Sequence, residues 1–289
     1  MPVKVTALGT GTCHGLDHRA PPLFHIRWGR EPEQHLIFEL TAGFRHRIAR
    51  AFPLEDPALS LNVHIAVSHV HEDHFGGAMS FKLARHCARA AAKQADAGRV
   101  MIYGPRQLST ALEHLHAAHL PERNTETLAL AGFETHHAED GQPIHIADAV
   151  LRQYHLFHAD ATVEAVGFRL ELPNGKVIAY TGDAAWPHEE VFDQDSPDLK
   201  RAEGVCHISK DADILICDAG GPPPYLVSCR HFNAVEAGAM AQESNVKLLA
   251  LTHYTGADAP ESMISYANTD FRARDRIHVL TDGDTLELP

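Results

Sequence analysis

Four metal-ligating side chains lie close together in the chain, at His69, His71, Asp73 and His74. They follow an apolar run that is typical of a buried strand, and they precede a pair of glycines and a helical stretch. At a strand end, His69 and His71 can point the same way, while Asp73 and His74 can bend round to a second point nearby. Imidazole and carboxylate suit zinc or a similar divalent ion, and four such groups exceed what one open catalytic zinc needs. The segment therefore predicts two adjacent metal ions.

This segment resembles the signature of the metallo-β-lactamase superfamily, in particular its ribonuclease Z-like and phosphodiesterase branch. The resemblance implies further ligands at later strand ends. Gly182-Asp183 follows a strand-like stretch and is similar to the family's Gly-Asp, whose carboxylate bridges both metals. His253 follows the apolar run 247–251 and matches the family's last histidine ligand. The resemblance runs from Val3 to about Asp284, which is nearly the whole chain.

One further ligand is expected shortly before the Gly167-Phe168 strand, where the family places a histidine. His158 is the candidate, although it lies farther from Gly167 than the family's usual spacing, at which this chain has Ala161. His155 and Asp160 are therefore alternatives for the same role. The sequence leaves the choice among the three open.

The family's ligand roles imply two metal positions that share one carboxylate. The first set is His69, His71 and His158, the second set is Asp73, His74 and His253, and Asp183 lies between the two sets. The expected cofactors are two divalent ions, with zinc as the first choice. Sites built from histidine and aspartate also take manganese and iron, so these metals are alternatives.

The predicted catalytic residues are Asp73, which is also a metal ligand, and His231. The segment around His231 resembles the one that carries the histidine of ribonuclease Z and related phosphodiesterases, which sits beside the metals and donates a proton to the leaving group. Such a general acid contributes about 10²–10⁴ in rate. The alternative is a surface histidine near a helix cap. Asp218, at a strand end, either orients His231 or is an ordinary solvated carboxylate.

Other polar residues near the N-terminus are weaker candidates. His14, Asp17 and His18 follow a glycine-rich turn that is similar to the family's opening strand and turn, and they either line the pocket or form an ordinary polar loop. Glu39 stands where the family often has an aspartate. Leu40-Thr41 departs from the family's usual Cys-Gly.

The implied chemistry is hydrolysis. Two adjacent metals can share a hydroxide and stabilise an anionic leaving oxygen, which suits attack on a phosphodiester or on an ester or thioester carbonyl. The predicted function is a dinuclear-metal phosphodiesterase that uses a metal-bridging hydroxide, with His231 as general acid, on a small anionic substrate. The alternatives are a ribonuclease Z-type tRNA 3′ endonuclease, a thioester or lactone hydrolase, and a metal-binding protein without catalysis.

Composition favours a cytoplasmic enzyme. The chain carries a formal net charge of −13, which argues against a broad nucleic-acid surface and makes tRNA the weaker partner expectation. It has no apolar run of membrane-spanning length, and its first residues lack the pattern of a secretory signal. Its five cysteines are scattered, which favours free thiols over a disulfide framework. A homodimer is a further expectation, and it rests only on the resemblance to the family.

Alternating strand and helix patterns, with two strand-rich halves, predict an α+β fold. The resemblance implies a four-layer αββα sandwich, with a single domain over residues 1–289. Asn233 and Glu236 form the pattern of a capping box for a helix over Ala234–Glu243. A helix over 77–97 is expected to place Lys82, Arg85, Arg89 and Lys93 on a solvated face. The longest predicted loops are Gln142–Ala149, Asp183–Asp198 and Gly220–Pro224.

Overall fold

Two seven-stranded sheets lie at the centre of the computed structural model. The model describes residues 2–12, 18–30, 33–52, 62–91, 98–119, 133–158, 162–185, 197–221, 231–256 and 258–289. The first sheet, in spatial order, contains β14 (Thr285–Leu288), β1 (Val3–Gly9), β2 (Leu23–Trp28), β3 (Gln34–Phe38), β4 (Asn62–Ala66), β5 (Arg99–Tyr103) and β6 (Phe133–His136). The second contains β13 (Ile277–Val279), β12 (Leu249–Thr252), β11 (Ile214–Asp218), β10 (Val177–Tyr180), β9 (Ala165–Glu171), β8 (Ala149–Leu156) and β7 (Ile144–Ile146).

Helices cover the outer face of each sheet. The described helices are α1 (Phe44–Ala51), α2 (Glu72–Phe75), α3 (Ala78–Ala91), α4 (Gln107–His119), α5 (Pro197–Ser209), α6 (Ala234–Glu243) and α7 (Pro260–Phe271), with a short 3-10 helix at Arg274–Arg276. Side chains of α1, α3 and α4 pack on the first sheet, and those of α5, α6 and α7 pack on the second. The α+β class and the αββα sandwich predicted from the sequence are confirmed.

Alternation along the strands divides the core into layers. In β4, Val63 and Ile65 point to the helices of the first sheet, whereas Ala66 points to the second sheet. This period of two lets one strand contribute to both the helix-facing and the inter-sheet layers. β11 is buried along its whole length, because the sheet is covered on both faces. Cys217, within this strand, is buried.

Strand direction decides where polar residues collect. Within the second sheet, β10, β11, β12 and β13 run parallel, whereas β7 to β9 are antiparallel. In the first sheet β3 to β6 run parallel. The carboxyl ends of parallel neighbours lie at one edge of a sheet, which is where side chains converge in open α/β sheets.

The predicted capping box is confirmed. The Asn233 side chain accepts a hydrogen bond from the Glu236 backbone N–H, and the Glu236 carboxylate accepts one from the Asn233 backbone N–H. The helix begins and ends at Ala234 and Glu243, as predicted.

Two expectations about secondary structure and exposure are wrong. The predicted loop Gln142–Ala149 contains strand β7, which forms a hairpin with β8. Lys82 and Arg85 are 6% and 3% exposed rather than solvated. The Lys82 ammonium lies 3.0 Å from the His116 ring and near the Phe133 ring, so its stem packs inward.

None of the helices in the described part of the chain combines the length and the apolar character that crossing a bilayer requires. Several sequence candidates fall outside the described residues: His14, Asp17, Asp160 and parts of the predicted loops after Asp183 and Gly221. The single domain over residues 1–289 stays a prediction.

Candidate metal centre

The polar side chains of the centre lie at the ends of five strands, which are β4, β8, β10, β11 and β12. The segment after β4 turns into the short helix α2, which carries Asp73 and His74. Asp183, Asp218 and His253 follow or end the parallel neighbours β10, β11 and β12. The two sheets approach each other closely here, and a side chain at Gly182 would therefore collide with Ser68. Gly182 also has a φ of 57°, so glycine is favoured before Asp183 on two grounds.

Three histidine rings converge in the first ligand set. The Nε2 atom of His69 lies 2.9 Å from Nδ1 of His71, and Nε2 of His158 lies 3.3 Å from the same atom. Asp183 Oδ2 lies 3.9 Å from His69 Nε2 and 3.8 Å from His158 Nε2. His69 and His158 are buried, and His71 is half-buried. Four potential ligand atoms thus surround one point.

The second set converges on the other oxygen of the same carboxylate. Asp183 Oδ1 lies 3.2 Å from His74 Nε2 and 3.4 Å from His253 Nε2. Asp73 Oδ2 lies 3.3 Å from His253 Nε2 and 3.9 Å from His74 Nε2. Asp183 therefore stands between two groups of ligand atoms and presents one oxygen to each.

The donor atoms fit divalent cations. His74 Nε2 and Asp183 Oδ1 are buried and lie 3.2 Å apart, and neither makes a well-aligned hydrogen bond to a described residue. Leaving such atoms unpaired is costly, and an ion coordinated by both would remove that cost. Within the described residues, groups of three or more potential ligands occur only around Asp183 and Asp73. The His/Asp clusters are thus suited to divalent metal binding.

The ionisation of the histidines agrees with this reading. Burial lowers the pKa of His69 well below its ordinary value, so its ring is neutral, which is the form that binds a metal. Burial would also lower the pKa of His253, but the Asp183 carboxylate raises it to about 10. The carboxylates thus attract positive charge to this position. In the protein without a metal ion, a proton on His253 carries that charge. A metal ion held by these residues would supply that charge in place of the proton.

Glu39 and Ser68 support the ring orientations from behind. The Ser68 hydroxyl donates to Glu39 Oε1 at 2.6 Å, and it lies 2.9 Å from His69 Nδ1. Glu39 Oε1 also lies 3.1 Å from Nδ1 of His74. Contacts at the second ring nitrogen fix the tautomer and direct Nε2 of each ring toward the centre. Glu39 has a φ of 75°, which is strained backbone for a residue with a side chain.

His231 lies beside the first ligand set and contacts a buried aspartate, Asp218. Its Nδ1 lies 2.8 Å from Asp218 Oδ2 and 3.8 Å from Asp183 Oδ2. Asp218 is fixed in turn, because it accepts hydrogen bonds from the backbone N–H groups of Gly220 and Ala184. Burial would lower the pKa of His231, but the Asp218 carboxylate raises it above its ordinary value. Burial would raise the pKa of the Asp218 carboxyl, but the contact with His231 outweighs burial and lowers that pKa.

The family follows from the sequence as a whole. Residues 41–254 match the family described as a beta-lactamase superfamily domain, a span that contains all the predicted ligands. The chain belongs to the beta-lactamase superfamily. Its curated relatives include an uncharacterised protein of Mycobacterium tuberculosis, 26% identical over 99% of this chain and 92% of that protein. A ribonuclease Z of Lactobacillus acidophilus is 22% identical over 89% and 90% of the two chains.

Solved structures of the superfamily share the fold. The metallo-beta-lactamase fold protein YhfI from Bacillus subtilis has a TM-score of 0.74 and 18% identity, with 100% of both chains covered. A diphosphatase from the PhnP family has a TM-score of 0.67 and 18% identity, with 99% of this chain and 98% of that chain covered. The predicted resemblance to the metallo-β-lactamase superfamily is thereby confirmed.

The positions of the side chains in the structure distinguish among the candidates named from the sequence. The structure brings His158 into the cluster, whereas His155 Nδ1 lies 2.7 Å from Asp140, away from the centre. Asp160 is outside the described residues, and so are His14 and Asp17. His18 is exposed and has a φ of 62°. The solvated alternative for Asp218 is wrong, because this residue is buried.

Sequence reasoning missed the supporting residues. No sequence pattern assigned a role to Ser68, which directly precedes the ligand segment, or to Arg19 and Thr10. Ser68 contacts Glu39, 29 positions earlier, and Arg19 contacts Tyr254, 235 positions later. No local spacing signals pairs so far apart. Only the strand-end position of Ser68, directly before His69, offered a hint.

Proposed function

We propose that this superfamily member is a phosphodiesterase that works with two divalent ions, with zinc as the first choice. The observation that carries the proposal is the placement of Asp183, whose two carboxylate oxygens face two separate groups of ligand atoms. His69, His71 and His158 would hold one ion, and Asp73, His74 and His253 the other. Asp183 would contact both.

When bound, such a metal pair lowers the pKa of water toward neutrality and stabilises negative charge on a transferring phosphoryl group. The chain's own residues supply orientation and charge. Burial keeps bulk water away from His69, His74 and Asp183, which strengthens the electrostatic interactions there. Asp73 contributes a second carboxylate next to Asp183. The two negative charges together favour the binding of a cation at this position.

His231 is placed to move a proton. Its Nδ1–H donates to Asp218, which leaves Nε2 as the atom that can carry a proton toward substrate. In the protonated ring, Nε2–H would be delivered to the leaving-group oxygen as the phosphorus–oxygen bond breaks. The Asp218 carboxylate stabilises the cationic ring before this transfer. A positioned general acid of this kind contributes about 10²–10⁴ in rate.

A small or cyclic phosphodiester is the proposed substrate class. Among the structural neighbours is a diphosphatase of the PhnP family, which supports phosphoester chemistry. The formal net charge of −13 opposes a long polyanion and allows a small anion that binds at the metal pair.

Cleavage of precursor tRNA is the second candidate. Two relatives are named ribonuclease Z, from Lactobacillus acidophilus and from Archaeoglobus fulgidus, the latter 25% identical over 86% of each chain. The acidic net charge weighs against this candidate, because tRNA binding relies on contacts between basic groups and phosphates.

Turnover of three substrates by the zinc- or manganese-loaded protein tests the proposal. We expect hydrolysis of bis(p-nitrophenyl) phosphate, little cleavage of precursor tRNA and little turnover of a thioester. Thioester turnover alone would shift the assignment to carbonyl chemistry, and efficient tRNA cleavage would favour the second candidate.

A matched pair of aspartate variants ties the activity to the centre. Asp183→Asn should abolish phosphodiester turnover, because an amide has a single acceptor oxygen. Asp213→Asn is the control, since Asp213 is equally buried, at 3% exposed, but binds Lys247 and Lys176. Equal activities of the two variants would contradict the proposal.

A further inference from the structure

The backbone at His253 is strained. This residue has a φ of 57°, in the left-handed region that side chains other than glycine rarely adopt. Such a conformation persists only where the surroundings impose it. His253 directly follows β12, and its ring is directed at Asp73 and Asp183. The contacts that impose the strain therefore also decide where this ring points.

One of these contacts comes from the segment after β1. The backbone N–H of His253 donates to the carbonyl oxygen of Thr10 at 2.8 Å. Thr10 is held by Asp282, whose Oδ1 accepts from the Thr10 hydroxyl at 2.9 Å. The second oxygen of Asp282 accepts from the backbone N–H of Ala20 at 2.8 Å. Asp282 thus fixes both ends of the 10–20 segment against His253.

Arg19 holds the next residue, Tyr254. The Arg19 guanidinium donates to the Tyr254 carbonyl oxygen at 2.7 Å and lies 3.3 Å from the centre of the Tyr254 ring. A cation stacked on an aromatic face is attracted by the ring's charge distribution. Tyr254 is 5% exposed, and its hydroxyl donates to the Leu280 carbonyl oxygen at 3.2 Å. The residue after His253 is therefore restrained at its carbonyl, its ring and its hydroxyl.

We infer that Arg19 is a positioning residue for His253 and thereby for one of the two metal ions. Arg19, Thr10 and Asp282 form a clamp on His253-Tyr254, and we call this group the Arg19 clamp. The inference rests on the proposed metal centre. It is selective, because the clamp holds His253, which belongs to the second set alone, whereas the first set consists of His69, His71 and His158. Loss of the clamp should weaken one ion and spare the other.

The test measures the release of zinc from the full-length protein to a chromophoric chelator. In Arg19→Met, which removes the donors and keeps a chain of similar length, one ion should leave at least tenfold faster than from the wild type. The other ion should leave at the wild-type rate. Arg19→Lys, which keeps the charge and one donor, should give an intermediate rate for the affected ion.

Arg169→Met is the matched control. Arg169 also donates to backbone carbonyls, of Ile208 in α5 and of Lys210 directly after this helix, and neither residue belongs to a ligand set. This variant should release both ions at the wild-type rate. Should Arg19→Met not fold, Asp282→Asn loosens the same clamp through Thr10 and Ala20 and is measured in the same way.

The outcomes separate the inference from the proposed function. Wild-type protein that binds fewer than two ions would contradict the proposed metal centre itself. Two ions in the wild type with unchanged release from Arg19→Met would overturn the positioning role alone. Equal acceleration of both ions would also overturn it, because a general loss of stability does not distinguish between the two sets.

Discussion

The Asp183 carboxylate and the His231 ring lie within 3.8 Å of each other and divide the expected chemistry between them. Asp183 faces both sets of ligand atoms, and His231 is held at Nδ1 by Asp218. In the proposed function, Asp183 would bind the metal ions and His231 would transfer the proton. A change at either residue should consequently have a different signature.

We expect His231→Ala to retain its metal ions and to lose most of its turnover of bis(p-nitrophenyl) phosphate. The reason is the loss of the proton donor, which is worth about 10²–10⁴ in rate. The loss should be greater for diesters with alkyl leaving groups, because these oxygens depend more on protonation than p-nitrophenolate does. Metal content and steady-state rates of both substrates provide the measurement.

His278→Ala, a change at an exposed histidine on β13, is the control for the removal of a histidine as such. Unchanged turnover in His231→Ala would contradict the general-acid role. A loss of metal from this variant would assign His231 to the ligands instead.

The two candidates near the end of β8 can be separated by metal content. His158→Ala should lose an ion, because its Nε2 is directed at His71 and Asp183. His155→Ala should retain both ions, because its ring is paired with Asp140. Elemental analysis of the two variants decides the matter, and the reverse pattern would mean that the third-segment ligand is misassigned.

At the scale of elements, β8 is tied to the turn before β7 by a titratable pair. His155 Nδ1 and its backbone N–H both contact Asp140 Oδ1. The hydrogen bond to Asp140 raises the pKa of His155. Burial would raise the pKa of Asp140, but the contact with His155 outweighs burial and lowers it.

This pair predicts a pH window for stability. A raised histidine pKa stabilises the fold below about pH 6.5, and the effect is lost as pH rises through the folded-state pKa. A lowered aspartate pKa stabilises it above about pH 3.9, and the effect is lost as pH falls. His155→Gln should therefore lower the free energy of unfolding most between about pH 4 and 6.5, and less at pH 9.

Denaturant titrations across this range provide the measurement, with His278→Gln as the control. A difference between His155→Gln and the wild type that does not vary with pH would contradict the ion pair. Because both side chains are partly exposed, at 35% and 51%, solvent screening keeps the expected effect small.

The elements that sequence patterns predicted were those with strong local signals. The capped helix Ala234–Glu243 has the predicted bounds, because a capping box acts within a few residues. β7 has only three residues, including His145, and is a strand because it pairs with β8. Lys82 is buried because α3 packs against α4, where His116 receives it. Such tertiary contacts leave no periodic pattern.

At the scale of the whole molecule, the two sheets contribute different parts of one centre. The segment after β4 of the first sheet would supply four of the proposed ligands, and the ends of β8, β10 and β12 of the second would supply the others. The residue types of the clustered histidines and aspartates and their strand-end positions could be predicted from the sequence, because each motif is local. The division of Asp183 between two sets and the Arg19 clamp could not, since they join residues that only the folded chain brings together.

The metal content per chain tests the central claim most directly. It should be measured by elemental analysis on protein purified without chelators, with turnover of bis(p-nitrophenyl) phosphate assayed on the same preparation. We predict two divalent ions per chain, with turnover that is lost on chelation and restored by zinc or manganese. Fewer than one ion per chain, in a protein that stays inert after either metal is added, would contradict the assignment of the ligands.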